Sequence, residues 1–173
     1  MGQMAFDDED GTLSMLRDSV AGFGERFPGP RSLRARRAGG ADLDREVWSA
    51  MAEAGWLGLL VPSDDGGAGL TLREQAVLSE ALGRALVTEP LAQLAVFAGT
   101  LLRAAPASGE RTRLMAGIAD GSLLVTSAWQ GADGEPVLHE QPHGIPELIV
   151  AYGFDLIAVG TVLVAPLDIT RIV

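Results

Sequence analysis

The stretch Ala54-Gly55-Trp56-Leu57-Gly58-Leu59-Leu60-Val61-Pro62-Ser63-Asp64-Asp65-Gly66-Gly67-Ala68-Gly69-Leu70-Thr71 decides how this chain is read. A helical pattern enters it and stops at Gly55. A short apolar run ends at Pro62. Gly66, Gly67 and Gly69 then crowd into one turn, and Thr71 opens a new helix. Glycines packed so closely free the backbone to adopt positive φ, or to lie against another surface where no Cβ would fit. They do not form a phosphate loop, because no βαβ strand precedes them and no Lys-Ser/Thr follows.

Upstream, Leu13, Leu16, Val20 and Phe23 recur at helical spacing, which predicts a first helix over Thr12 to Phe27. Pro28 and Pro30 end it. Asp44 is a helix N-cap, and Glu46 adds favourable charge in the first turn of a second helix whose apolar face is Val47, Trp48, Met51 and Ala54. Downstream, Thr71-Leu72-Arg73-Glu74 is a capping box, and Leu72, Ala76, Leu78, Leu82 and Leu86 form the apolar positions of a third helix. Thr88-Glu89-Pro90 starts a fourth, apolar nearly all round from Leu91 to Ala104, as buried helices are. Ser108 caps a fifth, which ends at Asp120-Gly121.

After residue 121 the period changes. Leu123 to Ala128, Leu148 to Tyr152, Asp155 to Val159 and Thr161 to Val164 read as short strands. The expected fold class is α+β: an all-α domain of about five helices over 1–121, then an incomplete antiparallel β domain over 122–173.

Composition narrows the function classes. Of 173 residues, 47% are hydrophobic and 21% charged, and the formal net charge is −10, which disfavours a nucleic-acid partner. All 13 basic residues are arginine, a bias with no physical account here. The cluster Arg31, Arg34, Arg36 and Arg37 beside Pro28-Gly29-Pro30 reads as a solvated loop in preference to a phosphate site. Cysteine is absent, so disulfides and thiolate chemistry are excluded. His139 and His143 are four apart, but Pro136 and Pro142 argue against a helix, so a loop pair outweighs a metal site. The acidic N-terminus lacks signal-peptide order, and the uncharged run Pro90 to Leu102 is too short for a bilayer, so a cytoplasmic protein is expected.

The run through Gly55 to Thr71, continued by Glu74, Glu80 and Leu82-Gly83-Arg84, resembles the N-terminal helical domain of the acyl-CoA dehydrogenase family. A looser resemblance covers Val125-Thr126-Ser127-Ala128-Trp129-Gln130-Gly131-Ala132-Asp133, where the family has a flavin-contacting strand. Val125, Thr126, Gly131 and Asp133 fit it, whereas Ser127-Ala128 stand for Glu-Pro and Ala132 for a phosphate-binding serine. Glu147 to Tyr152 is similar to a second flavin-bordering strand, with Ile149 and Ala151 in place of an aromatic residue and a threonine.

The resemblance implies an FAD-dependent dehydrogenase oxidising an acyl-CoA thioester at its α,β bond. It implies flavin contacts at Leu124, Val125, Thr126, Gly131, Asp133, Ile149 and Ala151, and a place beside cofactor or substrate for Trp129. It makes the glycine-rich turn a structural element near the acyl-chain entrance. The catalytic glutamate of the family comes from a C-terminal bundle with no counterpart in these residues, so no catalytic residue is assigned. Glu74 and Glu80 read as capping and solvated groups. Short spacings near Gly144-Ile145 and Val159-Gly160 suggest that the sequence is a piece of a longer protein. A homo-oligomer, or a hetero-oligomer with a homologous subunit, is expected. The alternatives are a non-catalytic partner subunit and a flavin monooxygenase of the same fold.

Overall fold

The structure is a computed structural model, and it describes residues 6–39, 43–130, 136–138, 147–152, 155–159 and 165–166. Six α-helices lie within them: α1 (Thr12–Arg26), α2 (Gly29–Gly39), α3 (Arg45–Glu53), α4 (Leu72–Arg84), α5 (Ala98–Ala104) and α6 (Gly109–Ala119). A 3-10 turn covers Ser63–Asp65, and a π-helical turn over Ala92–Phe97 leads into α5. Five short strands follow: β1 (Val125–Gln130), β2 (Pro136–Leu138), β3 (Glu147–Tyr152), β4 (Asp155–Val159) and β5 (Ala165–Pro166).

Most helix boundaries obey local chemistry. The Asp44 carboxylate accepts from the backbone of Glu46 and Val47 at 3.0 and 3.2 Å. At α4 the Thr71 hydroxyl accepts from Arg73, while Glu74 reaches back to the Thr71 N–H at 2.9 Å, so two orphan donors are satisfied reciprocally. Ser108 accepts from Arg111 N–H at the start of α6. Gly55 and Gly121, both at positive φ, follow α3 and α6.

Helix α2 corrects the expected loop at the arginine cluster. Pro28 lies between α1 and α2, and Pro30 falls in the first turn of α2, where a missing N–H costs nothing. The arginines, Leu33 and the alanines after it are good helix formers, so the same prolines that close one helix admit the next.

The core gathers α1, α3, α4, α5 and α6 around Trp48, Met51, Trp56, Leu78, Leu102 and Met115. Trp56 is 1% exposed, with its ring centroid 4.8 Å from that of Phe23. Two expected apolar faces need revision. Ala54 is an exposed C-cap, and Ala50 takes its place inside α3. At α4, Leu72 on its first turn and Leu86 just past its end are exposed, and Val77 and Gln75 are buried instead.

The sheet order is β2-β1-β3-β4-β5. It is mixed, not antiparallel throughout: β1 and β3 run parallel, while the pairs β1–β2, β3–β4 and β4–β5 are antiparallel. Strand β2 pairs antiparallel with one edge of β1, and β3 pairs parallel with the other. The expected strand at Thr161–Val164 lies outside the described residues. Among the described residues no helix is long and apolar enough to cross a membrane.

Helix α4 ends with Val87 N–H on the Leu82 carbonyl at 3.0 Å, which forces Leu86 to φ 55, a left-handed conformation usual for glycine. Because Leu86 is 46% exposed, its side chain recovers little of that strain by burial. Leu86→Gly should therefore raise stability by about 1 kcal/mol, read as a higher urea midpoint at unchanged slope.

Candidate functional site

The glycine-rich connection is a backbone knot. Ala68 N–H donates to Gly58 O at 2.9 Å, Gly69 N–H to Val61 O at 2.8 Å, and Leu70 N–H to Leu59 O at 2.9 Å. Gly66 and Gly69 take positive φ of 90° and 64°. Gly67 does not, but a Cβ there would collide with the Val61 carbonyl and side chain. A Cβ on Gly58 would lie 2.8 Å from the Ala119 Cβ. Conformational freedom and close approach are thus divided among these glycines.

Two arginines staple this connection to the following helices. Arg111 Nη1 lies 3.0 Å from Asp65 Oδ2, and the side chains are 15% and 10% exposed. The same guanidinium donates through Nε to Leu102 O at 2.9 Å. Arg103 Nη1 reaches Leu60 O at 3.5 Å. The Asp65–Arg111 pair spans 46 positions of sequence with no local signature, so reading the sequence did not find it.

The strand expected to border a cofactor begins inside the helical core. Leu124 is 2% exposed and Val125 fully buried, and β1 packs on the π-helical turn and on α5. That turn buries Leu94 and Ala95, and α5 buries Ala98. On the other side β3 lies parallel to β1, with Val125 opposite Glu147, Thr126 opposite Leu148, Ser127 opposite Ile149 and Trp129 opposite Ala151. The register therefore sets Trp129 opposite Ala151, and places Val125 and Thr126 on the strand next to the one that carries Ile149 and Ala151; Leu124 precedes β1 and has no partner in this register. Gly131 and Asp133 lie outside the described residues, as do His139 and His143. Among the described residues, β1 pairs with β2 only from Ala128 onward, so on that edge Val125–Ser127 have no strand partner. Alternate residues of a strand turn both backbone groups to the same edge.

The two glutamates sit elsewhere and are occupied. Glu74 is 7% exposed and accepts from the Thr71 hydroxyl, which holds its carboxyl below the ordinary value despite the opposing effect of burial. Glu80 binds Arg84 at 2.9 Å in an i,i+4 pair. Both residues of that pair line a groove of about 360 Å³ between α1 and α4, with Arg17, Val20, Val77 and Ala81. None of the sequence-predicted flavin residues lines it. Trp48 and Trp56 are core residues, and among the described residues the buried Trp48 indole N–H has no hydrogen-bond partner. Among the described residues no group of three or more His, Asp or Glu side chains could hold a metal ion.

Residues 11–122 match the family described as "Acyl-CoA dehydrogenase, N-terminal domain". The chain is similar to the acyl-CoA dehydrogenase IpdE2 of Mycobacterium tuberculosis, 36% identical over 113 residues, which are 64% of this chain and 36% of that protein. It thus spans about a third of the length of that relative. Among solved structures, a point variant of the Tcur3481-Tcur3483 steroid ACAD superposes with TM-score 0.65 at 26% identity, over 84% of this chain and 47% of that one. An acyl-CoA dehydrogenase complexed with FAD from Bacillus anthracis shares the fold, with TM-score 0.62 at 20% identity, over 89% of this chain and 32% of that one.

Two outcomes follow from the site. Gly67→Ala should destabilise the protein by about 3 kcal/mol, because the obstruction is backbone and cannot swing aside, whereas Gly22→Ala, where nothing lies within 4 Å, should be neutral or slightly stabilising. Glu74 has its carboxyl pKa depressed by folding, so its contribution is complete above the unfolded value and fades as pH falls below about 4. Glu74→Gln should flatten that part of the stability–pH curve, measured by urea unfolding between about pH 3 and 7.

Proposed function

The chain belongs to the acyl-CoA dehydrogenase family, and from that membership we propose that it acts as an FAD-dependent acyl-CoA dehydrogenase, oxidising an acyl thioester at its α,β bond. In this reading residues 1–121 form the helical domain, and residues 122–173 begin the β domain that grips the flavin. The observation carrying it is the lodging of β1 in the helical wall with β3 parallel beside it, which brings the two predicted flavin segments together.

The residues fit the cofactor at the backbone level. A flavin presents polar atoms along one ring edge, and the β1 edge at Val125–Ser127, without a strand partner among the described residues, offers main-chain groups to them. Those donors survive the replacement of side chains at Ser127 and Ala128, because a side-chain change leaves the N–H in place. The buried pair Leu124–Val125 fixes that edge against α5, so its orientation is set before any ligand arrives. Bound FAD would supply the hydride acceptor. Ile149 and Ala151 border it in this proposal, Gly131 and Asp133 serve its phosphates, and Trp129 borders cofactor or substrate. The glycine-rich turn stands near the acyl-chain entrance. Glu74 and Glu80 do not serve as the base: one is spent on the α4 cap and the other on Arg84. A cytoplasmic location and an oligomeric assembly belong to the same reading.

A second reading is a subunit that keeps the helical domain for assembly and has lost flavin chemistry. The departures at Ser127, Ala128, Ala132 and Ala151 favour it. So does the likeness to a steroid ACAD whose name joins two components.

The full product of the gene, purified with added FAD, should be yellow, and anaerobic acyl-CoA should bleach its flavin band. Thr126→Pro, which removes one backbone donor from β1, should weaken FAD binding by about tenfold or more, with the far-ultraviolet dichroism preserved. A colourless protein that takes up no FAD would overturn the proposal. Enlargement of a complex only in the presence of a homologous subunit would then favour the second reading.

A further inference from the structure

Helix α2 carries four of the protein's 13 arginines in 11 residues and no acidic residue. The rest of the chain holds nine arginines against all 23 carboxylates. Arg31, Arg34 and Arg37 are exposed, and no carboxylate pairs with them among the described residues. Four arginines elsewhere sit beside a carboxylate: Arg73 beside Glu74, Arg84 beside Glu80, Arg111 beside Asp65 and Arg113 beside Glu110. The helix also buries little. Gly29 is its one buried residue with a described environment, set against the carbonyls of Ala85 and Leu86, while Leu33 is half-buried. An amphipathic surface helix is normally kept for an apolar stripe facing the core, and α2 has almost none.

We propose that the Arg31–Arg34–Arg37 stripe of α2 is a docking surface for a carboxylate-rich face on another protein. The three positions descend the helix at intervals of three and span about 9 Å. Guanidinium forks at that spacing suit carboxylates presented by a partner of matching size, each able to accept two parallel hydrogen bonds. The surrounding charge selects the class of partner. Duplex nucleic acid carries a charge about every 1.7 Å and would continue past the stripe onto a strongly acidic remainder. An anionic membrane is likewise an extended plane. A compact acidic patch can meet the stripe and avoid the rest.

The test uses the full protein and a fluorescein-labelled oligoglutamate of about ten residues, with anisotropy read at about 20 and 200 mM ionic strength. Binding should weaken by about tenfold between the two salts. R31Q/R34Q/R37Q should weaken the low-salt binding at least about tenfold, while R26Q/R45Q/R113Q, which removes the same charge from other exposed positions, should change it less than about twofold. Glutamine is a good helix former, so α2 should persist in the first variant, and circular dichroism checks this. Equal losses in the two triples would overturn the proposal. So would tighter binding of phosphatidylserine vesicles or a short DNA duplex than of the peptide. Concentration-dependent self-association abolished by the α2 triple would reassign the stripe to a second copy of this chain, and would overturn the assignment to a different protein.

Discussion

The folded-back connection between α3 and α4 governs the rest of the molecule. Its strand-like hydrogen bonds close only because Gly58 and Gly67 bring backbone against backbone with no room for a Cβ. That closure sends Trp56 and Leu57 inward on one side and starts α4 at Thr71 on the other. The Asp65–Arg111 pair then fixes the connection to α6, and α6 delivers the chain to β1 through the positive-φ turn at Gly121. Position along this path is set by geometry at a few small residues, while stability comes from the apolar side chains that the path brings together. Trp56 alone, removed to alanine, would cost about 3–5 kcal/mol.

How much of this was legible depends on whether the signal was local. Asp44, Thr71-Glu74 and Ser108 announce helix starts through bonds made within three residues, and the structure has each of them. The glycine triplet signals a tight turn in the same way. Local signals mislead where one residue type serves two purposes. Pro30 reads as a stop, yet proline is equally at home in a first turn, and it lies in the first turn of α2. Periodicity puts Leu72 and Leu86 in the core, but each lies at a helix end where the chain turns outward. The π-helical turn at Ala92–Phe97 has no sequence sign, since its residues suit an α-helix equally well.

For the candidate site, resemblance alone marks Val125-Thr126 and Ile149–Ala151, and what the structure adds is that their strands β1 and β3 run parallel side by side, a pairing that sequence spacing does not reveal. Their burial pattern was not legible. Nothing local in the sequence marks Leu124 and Val125 as sunk among the helices.

That burial has a consequence for how such a protein can be assembled from parts over evolution. The change from helix to strand falls just after Gly121, and it invites the view that the two pieces meet there as separate building blocks. Two β-side residues nevertheless complete the interior of the helical piece. Cutting or recombining the gene at the visible change of secondary structure would leave an unfilled hole among the helices, whereas a junction a few codons later would not. The physical seam lies inside the first strand.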